Sequence, residues 1–271
     1  MKLADRTIAI TGAASGIGRA LALRFAAEGP KGLVLADLPR HSATLDALAR
    51  DISAGVGVAS AAPAIAVPAD IGDEAGVKAV VTAAQARFGH IDVFCSNAGI
   101  IRDGTEAAPD AEWTASWNVH VMAHVWAARA VVPGMRERGT GYLLNTASAA
   151  GLLTSLPSAT YAVTKHAAIA LAEYLAIQHG DAGVRVSVLC PQAVDTPMIQ
   201  GRSGAAAAAN DGVMSPAALA DCVVAGIDAE EFLILPHPQV LEYFQRKAQG
   251  YDRWLSGMRK FAARLGIKRT G

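Results

Sequence analysis

Short apolar runs alternate along the chain with longer segments whose apolar positions recur every three or four residues. TIAIT (7–11), LVLAD (33–37), AIAVPAD (64–70), IDVFCSNAG (91–99), GYLLNTAS (141–148), VRVSVLCP (184–191) and FLILP (232–236) read as strands. Residues 16–29, 42–54, 73–88, 110–137 and 158–180 carry the helical period. Apolar β runs alternating with helices predict a doubly wound parallel sheet of about seven strands, with helices on both faces. No linker-like break or internal repeat interrupts the pattern, so residues 1–271 are expected to form a single α/β domain.

Two segments stand apart. GRSGAAAAANDG (201–212) is low in complexity and reads as a mobile loop, inside a substrate lid expected at 197–215. Residues 237–271 hold eight Lys/Arg and two Asp/Glu. There Phe244, Ala248, Tyr251, Leu255 and Met258 follow 4-3-4-3 spacing, which predicts one amphipathic C-terminal helix with a solvated basic face.

Composition narrows the function classes. Of 271 residues, 52% are hydrophobic and mean hydropathy is +0.28, which excludes a disordered chain. Charged residues are 18%, against about 25% in an average domain. A large buried sheet, or wide subunit contacts, would account for the shortfall. Lys+Arg and Asp+Glu are 24 each, so no global basic field exists to hold nucleic acid. Cys95, Cys190 and Cys222 lie far apart with no C-x-x-C, which fits a reducing compartment. The start MKLADRTIAITGAASG lacks the apolar core of a signal peptide, and no run approaches the ~18 apolar residues of a membrane span. A cytoplasmic protein with no membrane partner is expected.

Between the first strand and first helix lies Thr11-Gly12-Ala13-Ala14-Ser15-Gly16-Ile17-Gly18. A glycine-rich turn there lets backbone approach a pyrophosphate, whose charge the helix N-terminus stabilises. Turns also use glycine for ordinary steric reasons, and this spacing differs from G-x-G-x-x-G. The second strand ends at Asp37, nineteen residues after Gly18. A carboxylate there accepts from the adenosine ribose hydroxyls and repels a 2′-phosphate, which favours NAD over NADP. Arg40 nearby could tolerate such a phosphate.

With these residues the chain resembles the short-chain dehydrogenase/reductase family, in its branch of about 250 residues, over residues 5 to about 235. TGAASGIG resembles the family's cofactor loop, implying cofactor contacts at Gly12, Ser15, Gly16, Ile17 and Gly18. Asp70-Ile71 resembles its D-[IVL] pair beside the adenine. Asn97-Ala98-Gly99 resembles its N-A-G motif, and Tyr161-Ala162-Val163-Thr164-Lys165 its Y-x-x-x-K. Ser148 stands thirteen residues before Tyr161, the family's usual interval. The resemblance implies a Rossmann-like fold, hydride transfer between NAD and a small secondary alcohol or ketone, and dimers or tetramers. It further implies that Lys165 holds the nicotinamide ribose hydroxyls.

The Tyr/Lys spacing has its own chemistry. Residues i and i+4 share a helix face. A phenol has pKa of about 10, and an adjacent ammonium stabilises the phenolate and lowers that value. Tyr161 could then take the proton of an alcohol, or return it to a ketone, with Ser148 hydrogen-bonded to the same oxygen. An ordinary amphipathic pair would look the same without Ser148 and the glycine loop.

Three features depart from the family pattern. Pro191-Gln192-Ala193-Val194-Asp195-Thr196 stands where P-G-x-[VI]-x-T is usual. By resemblance Pro191, Val194 and Thr196 border the nicotinamide carboxamide. Gln192 narrows the pocket, binds a polar substrate group or points to solvent. Met198, with Ile199 and Met214, suggests a mainly hydrophobic substrate. The family's catalytic Asn falls at His120, seven residues after Trp113 and thirteen before Pro133. His120 either relays protons, with an acid-side inflection near its unperturbed pKa of about 6.5, or only packs. Asn118 could replace it only through a bulge in the helix. No third ligand accompanies His120 and His124, so no metal is expected. Finally, the glycine-rich ending of many family members is replaced by the basic tail. An NADPH-preferring reductase and a non-catalytic dinucleotide-binding regulator are the rival readings.

Overall fold

In the computed structural model, which describes residues 1–58, 61–200 and 209–267, seven strands form one parallel sheet. They are β1 (Thr7–Thr11), β2 (Gly32–Asp37), β3 (Ala64–Pro68), β4 (Val93–Ser96), β5 (Gly141–Thr146), β6 (Val184–Leu189) and β7 (Leu233–Ile234). Their order is β3-β2-β1-β4-β5-β6-β7. The helices are α1 (Gly16–Ala26), α2 (Ser42–Ala54), α3 (Glu74–Phe88), α4 (Asp110–Trp117), α5 (Ala123–Glu137), α6 (Ala149–Leu152), α7 (Ala159–His179), α8 (Pro216–Ala229), α9 (Gln239–Gln249) and α10 (Tyr251–Arg264).

Successive strand residues face opposite layers, as the period of two requires. Ile8 and Ile10 of β1, Leu33 and Leu35 of β2, and Val93 of β4 pack with Leu21 and Phe25 of α1, Leu45 of α2 and Val223 of α8. Ala9, Val34 and Phe94 face the other way, onto Val80 of α3, Ala127 of α5 and Ala168 of α7. Ile8 is in register with Leu33 on one side and Val93 on the other, so β1 is central. The chain runs outward from β1 through β2 and β3, then returns to its other side at β4. That reversal leaves a crevice beyond the carboxyl ends of β1 and β4, where doubly wound sheets bind ligands.

Several elements differ from their sequence-predicted bounds. The fourth, fifth and sixth strands stop at Ser96, Thr146 and Leu189. Residues 97–99, 147–148 and 190–191 leave the ladder at the crevice. The predicted helix 110–137 is interrupted by a π turn at Asn118–Met122, where the Ala123 N–H reaches back to the Asn118 carbonyl. The single predicted tail helix is two, broken at Gly250 (φ −166°, ψ 75°). The break resets the helical phase, so Tyr251 and Leu255 are exposed while Trp254, Met258 and Phe261 turn inward. Part of the lid and loop reading, at 201–208, lies outside the described residues.

Val163, Tyr174 and Ile177 of α7 and Trp117 of α4 are exposed apolar side chains, with Ile177 at 77%. Among the described residues no helix is long and apolar enough to cross a membrane.

Candidate active site

One cavity of about 1400 Å³ opens over the carboxyl ends of the strands. At one end the glycine turn forms a cradle. Gly12 (φ +68°) and Gly16 (φ +52°) occupy the left-handed region that side chains avoid. Ser15 N-caps α1 without a side-chain hydrogen bond, and Ser15, Gly16 and Ile17 line the cavity. The first N–H groups of α1 are thus open to an anion. Thr11 locks the cradle to the sheet: its Oγ1 accepts from the Asn97 and Ala98 N–H groups, at 2.9 and 3.0 Å. Asn97 Nδ2 donates to the Thr11 carbonyl and its Oδ1 accepts from Thr146 Oγ1, so this amide joins the ends of β1, β4 and β5.

Asp37 ends β2 facing the same cavity. Its Oδ2 accepts from the Ala14 N–H at 2.9 Å and its Oδ1 from the Leu38 N–H at 2.8 Å, which fixes the carboxylate against the turn. Arg40 and His41 also line this end. Asp70 accepts from the Gly72 N–H at 2.8 Å beside Ile71. An open helix start, a cradle with no room for side chains and a strand-end carboxylate together fit a dinucleotide.

At the other end lies an acid/base constellation. Ser148 follows β5 and N-caps α6, its Oγ accepting from the Ala150 N–H at 3.1 Å. Ser158 caps α7 by accepting from the Tyr161 N–H at 3.2 Å, which sets Tyr161 in the first turn. Ser148 hydrogen-bonds the Tyr161 hydroxyl. Lys165, one turn on, lies 5.5 Å from the Tyr161 ring centroid and donates to the Thr146 carbonyl at 2.9 Å. Burial raises the Tyr161 pKa, opposed by the Ser148 hydrogen bond. Burial also lowers Lys165 to about 8. The expected net depression of the phenol by Lys165 is therefore not what this structure holds. Both groups are out of water, so desolvation penalises the charged form of each.

His120 is wholly buried behind this constellation, in the π turn, and does not line the cavity. Its Nε2 accepts from the Ile100 N–H at 3.1 Å, so the proton sits on Nδ1, 2.8 Å from Thr164 Oγ1. Thr164 donates in turn to the Thr160 carbonyl at 2.7 Å. The imidazole edge meets the Tyr161 ring at 90° with centroids 5.5 Å apart. Burial, then the Lys165 charge, hold the His120 pKa well below its usual 6.5. The inflection expected near 6.5 is thereby displaced far to the acid side. His124 is buried with neither ring nitrogen partnered among the described residues, and burial lowers it to about 3.

These two imidazoles make a stability prediction. Their folded pKa values lie below the unfolded value of about 6.5, so the unfolded chain binds more protons on the acid side. Stability is full above that value and is lost as pH falls toward about 3. Between pH 7 and pH 4 the loss should be on the order of 3 kcal/mol for His124, with His120 acting in the same direction. In urea unfolding, His124→Leu should flatten the acid limb and leave neutral stability equal or higher, since no partner is orphaned. An acid limb as steep as the parent's would locate the proton uptake elsewhere.

Every other predicted site residue lines the cavity: Gly12, Ser15, Gly16, Ile17, Gly18, Asp37, Asp70, Ile71, Asn97, Ala98, Gly99, Ser148, Tyr161, Lys165, Pro191, Gln192, Val194, Thr196 and Met198. Gln192 does not point freely to solvent. Its Nε2 donates to Asp211 at 3.0 Å, and Asp211 also accepts from the Tyr243 hydroxyl at 2.9 Å. Met214 departs from expectation: it pairs with Val194 and packs on the core beneath. Lys247 does not line the cavity but ties the tail to α6, a contact no local pattern in the sequence marks. It is 6% exposed, and its Nζ donates to the Leu152 and Leu153 carbonyls at 2.7 and 2.8 Å. The basic tail is thus not simply a solvated face, for Arg246, Arg253 and Arg264 also line the cavity.

Comparison with known proteins gives the same picture. The sequence model described as short chain dehydrogenase matches residues 6–206. The chain is 39% identical over 238 residues to 1-deoxy-11-beta-hydroxypentalenate dehydrogenase of Streptomyces exfoliatus, covering 86% of this chain and 84% of that one. A short chain dehydrogenase/reductase from Burkholderia phymatum, solved in complex with NAD, superposes with a TM-score of 0.83 at 28% identity, over 93% of this chain and 96% of that chain. L-Sorbose reductase from Gluconobacter frateurii, complexed with NADPH and L-sorbose, superposes with a TM-score of 0.76 at 29% identity, over 87% and 95%.

Proposed function

The chain belongs to the short chain dehydrogenase family, and we propose that it is an NAD-preferring secondary-alcohol dehydrogenase or ketone reductase with Tyr161 as its acid/base. When bound, the nicotinamide supplies the acceptor or donor of hydride. In oxidation Tyr161, as the phenolate, takes the O–H proton of the alcohol; in reduction, as the neutral phenol that burial favours, it returns that proton to the ketone oxygen. Ser148 holds the substrate oxygen beside Tyr161 and orients it. Lys165, which donates to the Thr146 carbonyl beside the Tyr161 ring, would offset the charge of the phenolate and hold the nicotinamide ribose hydroxyls. The observation that carries this reading is the convergence of Ser148, Tyr161 and Lys165 in one cavity with the glycine cradle. Reduced-cofactor absorbance across secondary alcohols with NAD tests it, and a panel that yields no absorbance, with ketones inert in reverse, would sink it.

We assign His120 to positioning. Its ring ties the loop after β4, through Ile100, to Thr164 on the helix that carries Tyr161 and Lys165. With both nitrogens engaged, it has no free acceptor for a relayed proton.

NAD preference rests on Asp37. NAD should bind at least about tenfold tighter than NADP, about 1.4 kcal/mol. Asp37→Ala should weaken NAD and narrow that gap, as read by calorimetry. A tenfold preference for NADP in the unmodified protein would instead assign the 2′-phosphate to Arg40, which lines the same end.

A further inference from the structure

The tail adds a wall of its own to the substrate end of the cavity. Two anchors hold it there. Lys247 of α9 donates to the Leu152 and Leu153 carbonyls that end α6, the helix capped by Ser148, and its Nζ lies 4.9 Å from the centroid of the Trp254 ring. Trp254 is thereby set at the far end of α6 from Ser148. Tyr243 donates to Asp211, which also accepts from Gln192 of the cavity lining.

Beyond the break at Gly250, α10 carries Trp254, Met258 and Phe261, spaced four and three, as one half-buried stripe. All three line the cavity that holds Ser148 and Tyr161, and Leu153, Leu156 and Met198 continue the apolar surface from the core side. The charged groups of α10 form no site of their own. Arg253 and Arg264 are exposed and three turns apart, about 16 Å. One guanidinium lies against Gly250 and the other 5.5 Å from the Phe261 ring centroid. What α10 offers a ligand is therefore apolar and aromatic area.

The same geometry sets a size. The cavity of about 1400 Å³ exceeds the roughly 300–1,000 Å³ of a single small-molecule site, as room for a dinucleotide and a second large ligand requires. Ser148 caps the start of α6 and Trp254 is anchored at its end. That helix is four residues long, about 6 Å. A molecule held by its oxygen at Ser148 must extend past this length to touch the stripe. A fused ring system reaches it, and a three-carbon alcohol does not.

We propose that the substrate is a bulky apolar alcohol or ketone of fused-ring size, and that Trp254, Met258 and Phe261 are the residues that select it. This rests on the reading that places the reacting hydroxyl or ketone at Tyr161. The probes are 2-decalone and cyclohexanone, the same ketone on two rings and on one. They are titrated by calorimetry into the full-length protein with NAD present, since the oxidised cofactor leaves a ketone unreacted. Each fully buried methylene strengthens binding about fourfold. With its four extra carbons partly buried, 2-decalone should bind at least about 30-fold tighter, about 2 kcal/mol. M258A/F261A, which leaves Lys247, Trp254 and Tyr243 in place, should cut that ratio by at least about fivefold, while cyclohexanone and NAD affinities hold. If this variant does not melt cooperatively, Met258→Ala alone should cut the ratio by about threefold. Binding of the two ketones within about threefold of each other, or a ratio that survives in the variant, would overturn the proposal. So would a parallel loss of NAD affinity, which would give this wall to the cofactor. Failure of the hydride-transfer reading shows separately, as no reduction of NAD by any alcohol while the preference for 2-decalone stands.

Discussion

Replacing Tyr161 by Phe should cut alcohol oxidation by roughly 10²- to 10⁴-fold, the range for loss of a general acid–base, while NAD affinity stays within about twofold. The ring is kept, so the edge contact with His120 survives. The N–H that Ser158 caps is backbone and is unaffected. Only the hydroxyl leaves, and with it one hydrogen bond to Ser148, about 1 kcal/mol of stability. A fall in kcat with little change in KM is therefore expected, since the phenol acts as the proton moves. A variant keeping a tenth or more of the parent's kcat would remove Tyr161 from the role. The same assay separates positioning from relay at His120. Its imidazole is held neutral well below the usual range by burial, so parent and His120→Asn should show superimposable kcat–pH curves with no break near pH 6.5. An inflection there in the parent, absent from the variant, would restore the relay.

The strands were legible because their alternation is enforced from both sides. Ala9 and Ile10 belong to different layers, and a slip of one residue would exchange them. Strand ends were less so, because Asn97-Ala98-Gly99 and Ala147-Ser148 stay apolar or small after leaving the ladder. The chemistry-bearing motifs were legible where one element carries them, as on α7 and the glycine turn. What the chain hides depends on distance in sequence or on phase. Lys247 meets carbonyls 94 and 95 residues away, and no local pattern records that. The tail's inward face followed a helical phase that Gly250 interrupts, so 4-3-4-3 spacing across that residue selected Tyr251 and Leu255 in place of Trp254 and Phe261. The bulge that Asn118 would have needed does occur. It nonetheless leaves His120, not Asn118, hydrogen-bonded to the Tyr161 helix.

Gly18→Ala should weaken NAD binding by at least about 100-fold, about 2.7 kcal/mol, although local propensity points the other way. Gly18 lies in the first turn of α1, and alanine inside a helix is favoured over glycine by about 1 kcal/mol. Against that gain stands the packing. A Cβ at residue 18 would meet the Gly12 carbonyl oxygen at 2.1 Å, its carbon at 2.7 Å and Asn97 Nδ2 at 2.8 Å. Two of these atoms are backbone and cannot rotate aside. The third is held between Thr11 and Thr146. The helix must therefore move off the turn, and overpacking of this kind costs about 1–3 kcal/mol. The propensity gain is smaller than most of that range, so the melting temperature should fall. The displacement acts where Gly12 and the start of α1 form the cradle, so binding suffers more than stability. Gly29→Ala is the control. It forces a side chain into φ +68° with nothing within 4 Å, so it carries backbone strain without a clash. It should lower the melting temperature and leave NAD affinity unchanged. If Gly18→Ala binds NAD within about threefold of the parent, about 0.7 kcal/mol, the close approach of helix to turn is not what holds the pyrophosphate.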